Sequence, residues 1–225
     1  MKRLSVLSVL AGAALGCASA PPVAVTEPSP PAHQLCATWV AASFDPSEPN
    51  PCVPHDRFTP EQLDAVQRAT SSVVDTMNMP QPVCPEDPAA AARWQEMVAE
   101  WIKAKGDRVL TTQRELEQLA SFDVGFVVGA GSLAALYEHY ALQALAAPRP
   151  NTVDGAEGVA VYRAALMQLF VPWTEKAREA YQSCAKRADE AGVASWAAFC
   201  RSRQEKLEAR VNLARSRERC PDRDP

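Results

Sequence analysis

Residues 124–137 read VGFVVGAGSLAALY, fourteen positions without a charge. Wound as a helix, this run is apolar around its whole circumference, and a helix of that kind is buried on every side. The rest of the chain must therefore supply enough elements to surround it. A membrane span is excluded, because Asp123, Glu138 and His139 bound the run and a span needs about 20 apolar residues. Gly125, Gly129 and Gly131 cost about 1 kcal/mol each against alanine in a helix. Close approach of a neighbouring helix is the expected compensation. The helix is predicted from about Ser121 to Ala146.

Its partners are legible from ordinary start and stop signals. Thr59-Pro60-Glu61-Gln62 offers an N-cap, a proline at N1 and an acidic first turn. Leu63, Val66, Val73, Val74 and Met77 follow at helical spacing, and Met79-Pro80 ends them. Asp87-Pro88 opens a second helix with Trp94, Met97, Val98, Trp101 and Ile102 on its stripe. Gly106 is a place for a break or bend in it. After AAPRPNTVDG, a further helix is expected from about Ala156 to Phe170, with Val159, Tyr162, Leu166 and Leu169 or Phe170 turned inward. Pro172 is expected to separate it from another over Trp173–Ala191. Gly192 suits a left-handed cap, and a last helix runs from about Ser195 to Ser216. Its charges, Arg201, Arg203, Glu205, Lys206, Glu208 and Arg210, read as a solvated face. Period-two alternation of β-branched residues is absent. The expected fold is all-α: an antiparallel bundle or hairpin array of about six helices.

The N-terminus assigns a compartment. Lys2 and Arg3 precede an apolar run from Leu4 to Leu15, the length of a signal h-region. Ala14-Leu15-Gly16-Cys17 resembles the lipobox of bacterial lipoproteins, with Ala14 and Leu15 exchanged relative to the usual order. The resemblance implies cleavage before Cys17 and acylation of its thiol. The alternative is an ordinary cut near Ala18-Ser19-Ala20. Ten prolines between Pro21 and Pro60 favour an extended, semi-rigid spacer, which an acyl anchor requires. The expected organisation is a signal at 1–16, a tether at 17–58 and a helical domain at 59–225. Ala18 and Ser19 after the cysteine, with no aspartate there, imply the outer membrane by the same resemblance.

An exported chain reads its cysteines as disulfides. Apart from Cys17 there are six: Cys36, Cys52, Cys84, Cys184, Cys200 and Cys220. Cys184 and Cys200 each lie eight residues from Gly192. In an antiparallel hairpin, eight residues climb about 12 Å on either arm, so the two stand at equal height and are expected to pair. The small neighbours Ala180, Ala188 and Ala197 let the arms approach. Pairing among Cys36, Cys52, Cys84 and Cys220 stays open, with a bridge from the N-terminal segment to the helical body, through Cys220, as the expectation. Trp39 and Phe44 are expected to dock on that body, where Cys36 and Cys52 would staple the segment down.

The net charge of −4 becomes −6 once Lys2 and Arg3 leave with the signal. No basic stripe with interleaved aromatics occurs, so nucleic acid is not an expected partner. No HExxH, GxSxG, Walker or GxGxxG motif is present. Three scattered histidines (His33, His55, His139) and no CxxC pair make a zinc reading weak. Glu138-His139 is the one acid–imidazole pair in apolar surroundings, and it reads as a helix end turning polar near solvent. No catalytic residue, metal or cofactor is assigned.

From Phe122 to Leu207 the spacing of Gly131, Tyr137-Glu138, LAAPRP, Tyr162, Leu166, Pro172, Lys176-Ala177, Tyr181, Cys184, Ala188, Trp196, Cys200 and Leu207 resembles helical-hairpin segments of periplasmic and outer-membrane proteins of myxobacteria and their relatives. Some of these are tetratricopeptide-type scaffolds linked to gliding machinery. No second copy follows at a 34-residue period. The resemblance implies a scaffold or assembly role. The expectation is a non-catalytic binding or scaffold lipoprotein, held to the membrane by its lipid and engaging other envelope proteins. The alternative is a hydrolase-like periplasmic enzyme.

Overall fold

The all-round apolar helix is the hub of the fold. In a computed structural model that describes residues 34–37, 39, 44, 50–83, 90–147, 149, 153 and 155–216, five α-helices follow a short strand pair. They are α1 (Pro60–Met77), α2 (Ala91–Glu117), α3 (Asp123–Leu145), α4 (Gly155–Glu190) and α5 (Ala194–Ser216). Helix α3 packs against each of the other four, and Val127, Val128, Ala134, Ala135, Leu136 and Ala141 on it are buried. All described residues belong to one compact unit that begins at Ala32. Among them no helix is long and apolar enough to cross a membrane.

The start of α1 is a reciprocal cap. The Gln62 amide donates to Thr59 Oγ1 at 3.3 Å and the Thr59 amide to Gln62 Oε1 at 3.0 Å. Two expected interruptions are absent. Gly106 lies inside a continuous α2, where a Cβ would stand 2.8 Å from the Tyr140 hydroxyl oxygen. The glycine makes room for that hydroxyl, which donates to the Ile102 carbonyl at 3.1 Å. Pro172 lies inside a continuous α4 of 36 residues. An interior proline loses one backbone donor and crowds the preceding turn, yet both sides of it are held. Phe170 and Trp173 pack edge-on against Tyr140 at 5.6 and 5.2 Å, and the Thr174 hydroxyl donates to the Val171 carbonyl at 2.7 Å. Among the described residues the α-helices named above number five rather than six, because tertiary contacts carry the chain through this point. Ahead of Phe170, Val159, Tyr162 and Leu166 are only half-buried, and Leu169 is exposed.

Helices α4 and α5 form the hairpin drawn from Gly192. Gly192 has φ +70°, Val193 donates to Ala188 at 2.8 Å and Gly192 to Asp189 at 3.1 Å, the paired bonds of a Schellman cap. Arg57 adds a bond from Nη2 to the Ala191 carbonyl at 2.8 Å. A disulfide joins Cys184 to Cys200 with Cα atoms 6.1 Å apart. Beneath it runs α3: a Cβ on Gly131 would stand 2.4 Å from the Trp196 ring and 3.1 Å from Cys184 Sγ. The α3 glycine therefore admits the bridged hairpin.

The boundary expected at 58 lies too late. Strands β1 (Gln34–Cys36) and β2 (Cys52–Pro54) pair antiparallel, with Leu35 opposite Val53 and Cys36 opposite Cys52. A disulfide joins Cys36 to Cys52. Val53 is fully buried, and Trp39 meets Phe199 of α5 edge-on at 6.4 Å. The described residues of this stretch, 34–37, Trp39, Phe44 and 50–54, belong to the folded body, because Ala37, Trp39 and Val53 are buried in its core and Leu35 and Phe44 pack against it. Cys36 and Cys52 satisfy each other, so neither reaches Cys220. Cys17, Cys84, Cys220 and the expected signal and tether ahead of residue 34 lie outside the described residues.

Candidate functional site

Among the described residues, two clusters of titratable groups are buried in the bundle. The first centres on Glu138 of α3, which has no exposed surface. Its carboxylate receives Arg203 of α5 in a two-pronged contact, Nη2 to Oε1 and Nε to Oε2, the latter at 3.2 Å. Tyr181 of α4 donates to Oε2 at 2.7 Å, and Arg210 Nε stands 4.0 Å from Oε1. The Arg203 guanidinium covers the Phe44 ring at 4.0 Å. Burial pushes the Glu138 carboxyl up, while the Arg203 guanidinium and the Tyr181 hydroxyl pull it back. This overturns two expectations. Glu138 is not a helix end near solvent, and Arg203 is not part of a solvated face. Arg203 lies three residues after Cys200 and four before Leu207, so helical period turns it inward with the apolar stripe. With every carboxylate oxygen occupied and no water access, the cluster ties α3, α4, α5 and the N-terminal segment together and offers nothing to a substrate.

The second cluster lies where α1 ends. Lys105 of α2 is fully buried. Its ammonium donates to the Met77 carbonyl at 3.2 Å and to Gln143 Oε1, and lies over the Trp101 ring at 5.4 Å. Burial lowers its pKa to about 8. Burial, and then the Lys105 charge, lower His139 to about 3, so its imidazole is neutral at pH 7. Its Nδ1 is buried without a hydrogen-bond partner.

The concave surface lies elsewhere. A groove of about 540 Å³ separates the N-terminal strand pair from α1. Leu35, Cys36 and Ala37 form one wall, Thr70, Val74 and Asp75 of α1 the other, and Val128, Trp39 and Trp196 complete it. Each disulfide contributes to its frame: Cys36 stands in the wall, and Cys184–Cys200 holds α5 where Trp196 closes the base. Asp75 is its one charged residue among those described. Two further grooves, of about 630 and 880 Å³, lie along α4–α5 and between α1 and the α2–α3 junction. Neither Lys105, His139 nor Glu138 lines any of the three.

Of the residues singled out by sequence, Cys184 with Cys200 and Cys36 with Cys52 frame this groove, and Trp39 docks beside it. Val74 was expected on the inward stripe of its helix and lines the groove instead; Ser195 and Asp75 were not singled out for a site, since a polar residue on an amphipathic helix carries no local mark of what lies across from it. Comparison with protein-family models, with curated proteins and with solved structures returns no match.

Proposed function

We propose that this chain is a non-catalytic binding or scaffold protein of the bacterial envelope, anchored through acylated Cys17, whose working surface is the groove between β1 and α1. The carrying observation is the separation of chemistry from access. The titratable clusters are sealed inside the bundle, whereas the groove is open, lined by apolar and uncharged polar side chains with one carboxylate, and framed by two disulfides. An enzyme site gathers converging titratable groups in its cleft; here Asp75 is the one charged residue among those described, beside the uncharged Gln67, Thr70 and Ser71. A disulfide-held frame loses little conformational freedom on association, which favours binding. The signal-like N-terminus, the lipobox-like Ala14–Cys17 and the resemblance to helical-hairpin scaffolds support placement at the outer membrane and engagement of other envelope proteins.

A photo-crosslinking side chain at Val74, in the groove wall, tests the reading in intact envelopes against the same group at exposed Arg108 on α2. A discrete adduct from Val74 that Arg108 does not give is expected. Identical adducts from both, or none from Val74, would overturn it. For the anchor, Cys17→Ser is expected to move the protein to the soluble periplasmic fraction or to stall its processing; unchanged membrane partitioning rules the lipid out.

A further inference from the structure

Opposed residues in an antiparallel pair alternate between those that exchange hydrogen bonds and those whose N–H and C=O point away from the partner strand. The Ala37 amide donates to the Pro51 carbonyl at 3.0 Å, which places Ala37/Pro51 at a bonded position, although Pro51 has no N–H to return the bond. By the register, Leu35/Val53 is also bonded, while Gln34/Pro54 and Cys36/Cys52 turn their backbone groups outward. Two features agree. The Cα atoms of Cys36 and Cys52 are 4.0 Å apart, the closer spacing of a non-bonded pair. Pro54, which has no N–H, occupies an outward position where the ladder needs none.

The two outer edges differ. On β2, Ser195 satisfies Cys52 completely: the Cys52 amide donates to Ser195 Oγ at 3.2 Å and the hydroxyl donates to the Cys52 carbonyl at 2.6 Å. On β1, the outward groups of Gln34 and Cys36 have no partner among the described residues, and Cys36 lines the groove. Two N–H/C=O sets two residues apart, about 6.8 Å, repeat at the spacing of an extended chain.

We propose that the groove takes an extended peptide segment of a partner protein as a third strand, paired through its backbone to Gln34 and Cys36. This rests on the groove being the binding surface and specifies its ligand. A helix cannot occupy the position, because its backbone groups are used internally, whereas an added strand offers the alternating donors and acceptors that the edge lacks. Every second side chain of the segment faces the core side with Leu35 and Val53, where Val74 and Trp196 favour a β-branched or aliphatic residue. A lysine or arginine near Asp75 supplies the complementary charge.

The test uses the full chain, cysteines oxidised, and a capped peptide of alternating threonine and valine carrying one lysine. A set of the same peptide with a single N-methyl group moved along its amides accompanies it. Tryptophan emission, to which the groove residues Trp39 and Trp196 contribute among five tryptophans, follows binding, and amide exchange follows the edge. Tenfold or greater losses of affinity at alternate methylation sites are expected. Exchange at Gln34 and Cys36 should slow at least tenfold while Leu35, already in the ladder, stays unchanged. Gln34→Pro, which removes an outward donor and no ladder bond, should weaken binding about tenfold with an unaltered melting curve. Equal affinity at every methylation site would overturn strand addition while leaving the groove as a binder, which the Val74 crosslink reads separately. Failure of the peptide to bind, or amides of Gln34 and Cys36 protected before it is added, would overturn it as well.

Discussion

A carboxylate removed from water needs its charge matched and its lone pairs occupied, and Glu138 obtains both from Arg203 and Tyr181. Such a pair contributes little against an apolar replacement of the same shape, but breaking one half leaves a buried charge at a cost of about 3–5 kcal/mol. Glu138→Ala is therefore expected to destabilise by that amount in urea unfolding. The triple replacement Glu138→Leu, Tyr181→Phe, Arg203→Met should be the more stable of the two, and a triple variant weaker than Glu138→Ala would show the pair to be net stabilising. His139 gives a pH dependence of known sign. Its folded pKa, about 3, lies below the ordinary histidine value of 6.5, so the unfolded chain binds more protons in between. Stability should fall as pH drops from 6.5 towards 3, by up to about 1.4 kcal/mol per unit. His139→Leu should lose this contribution, and identical pH profiles of parent and variant would refute the assignment.

For the elements, helix propensity and packing make opposite forecasts at Gly131. In isolation Gly131→Ala should stabilise α3 by about 1 kcal/mol. In the bundle the new Cβ would stand 2.4 Å from a Trp196 ring that is 1 % exposed and has nowhere to move. Overpacking costs about 1–3 kcal/mol, so a net loss is expected in thermal melts, and a gain would mean that α5 can retreat from α3. The same conflict explains Pro172. Proline rules weigh only the local backbone, and Phe170, Trp173 and Tyr140 outweigh them through contacts that no local pattern contains.

The molecule as a whole is braced at two places by bridges of equal sequence separation, 16 residues. Chain entropy assigns a loop of that length about 3 kcal/mol, a large part of a typical 5–15 kcal/mol. Cys184→Ala with Cys200→Ala should lower the melting temperature by roughly 2–4 °C per kcal/mol at this size and leave helical content intact, as circular dichroism would read. A variant that melts with its parent would show that the α4–α5 hairpin keeps its register by packing alone.

Helix positions, the N-cap at Thr59 and the Cys184–Cys200 hairpin were legible because each depends on residues within a few turns, where the 3.6-residue period and the Gly192 backbone act directly. The burial of Arg203 had a local mark too, a charge at apolar spacing between Cys200 and Leu207, but the charges around it read as a solvated face and Glu138 as a helix end near solvent, and both readings were wrong. Only the tertiary structure joined them, and only it carried α4 through Pro172, folded the proline-rich segment from Gln34 into the body and left one edge of β1 open beside α1. Those outcomes depend on which surfaces meet across as many as 143 residues of chain, as in the bond between Cys52 and Ser195. Hydrophobic burial sets that choice for the whole bundle at once, and no short window of sequence records it.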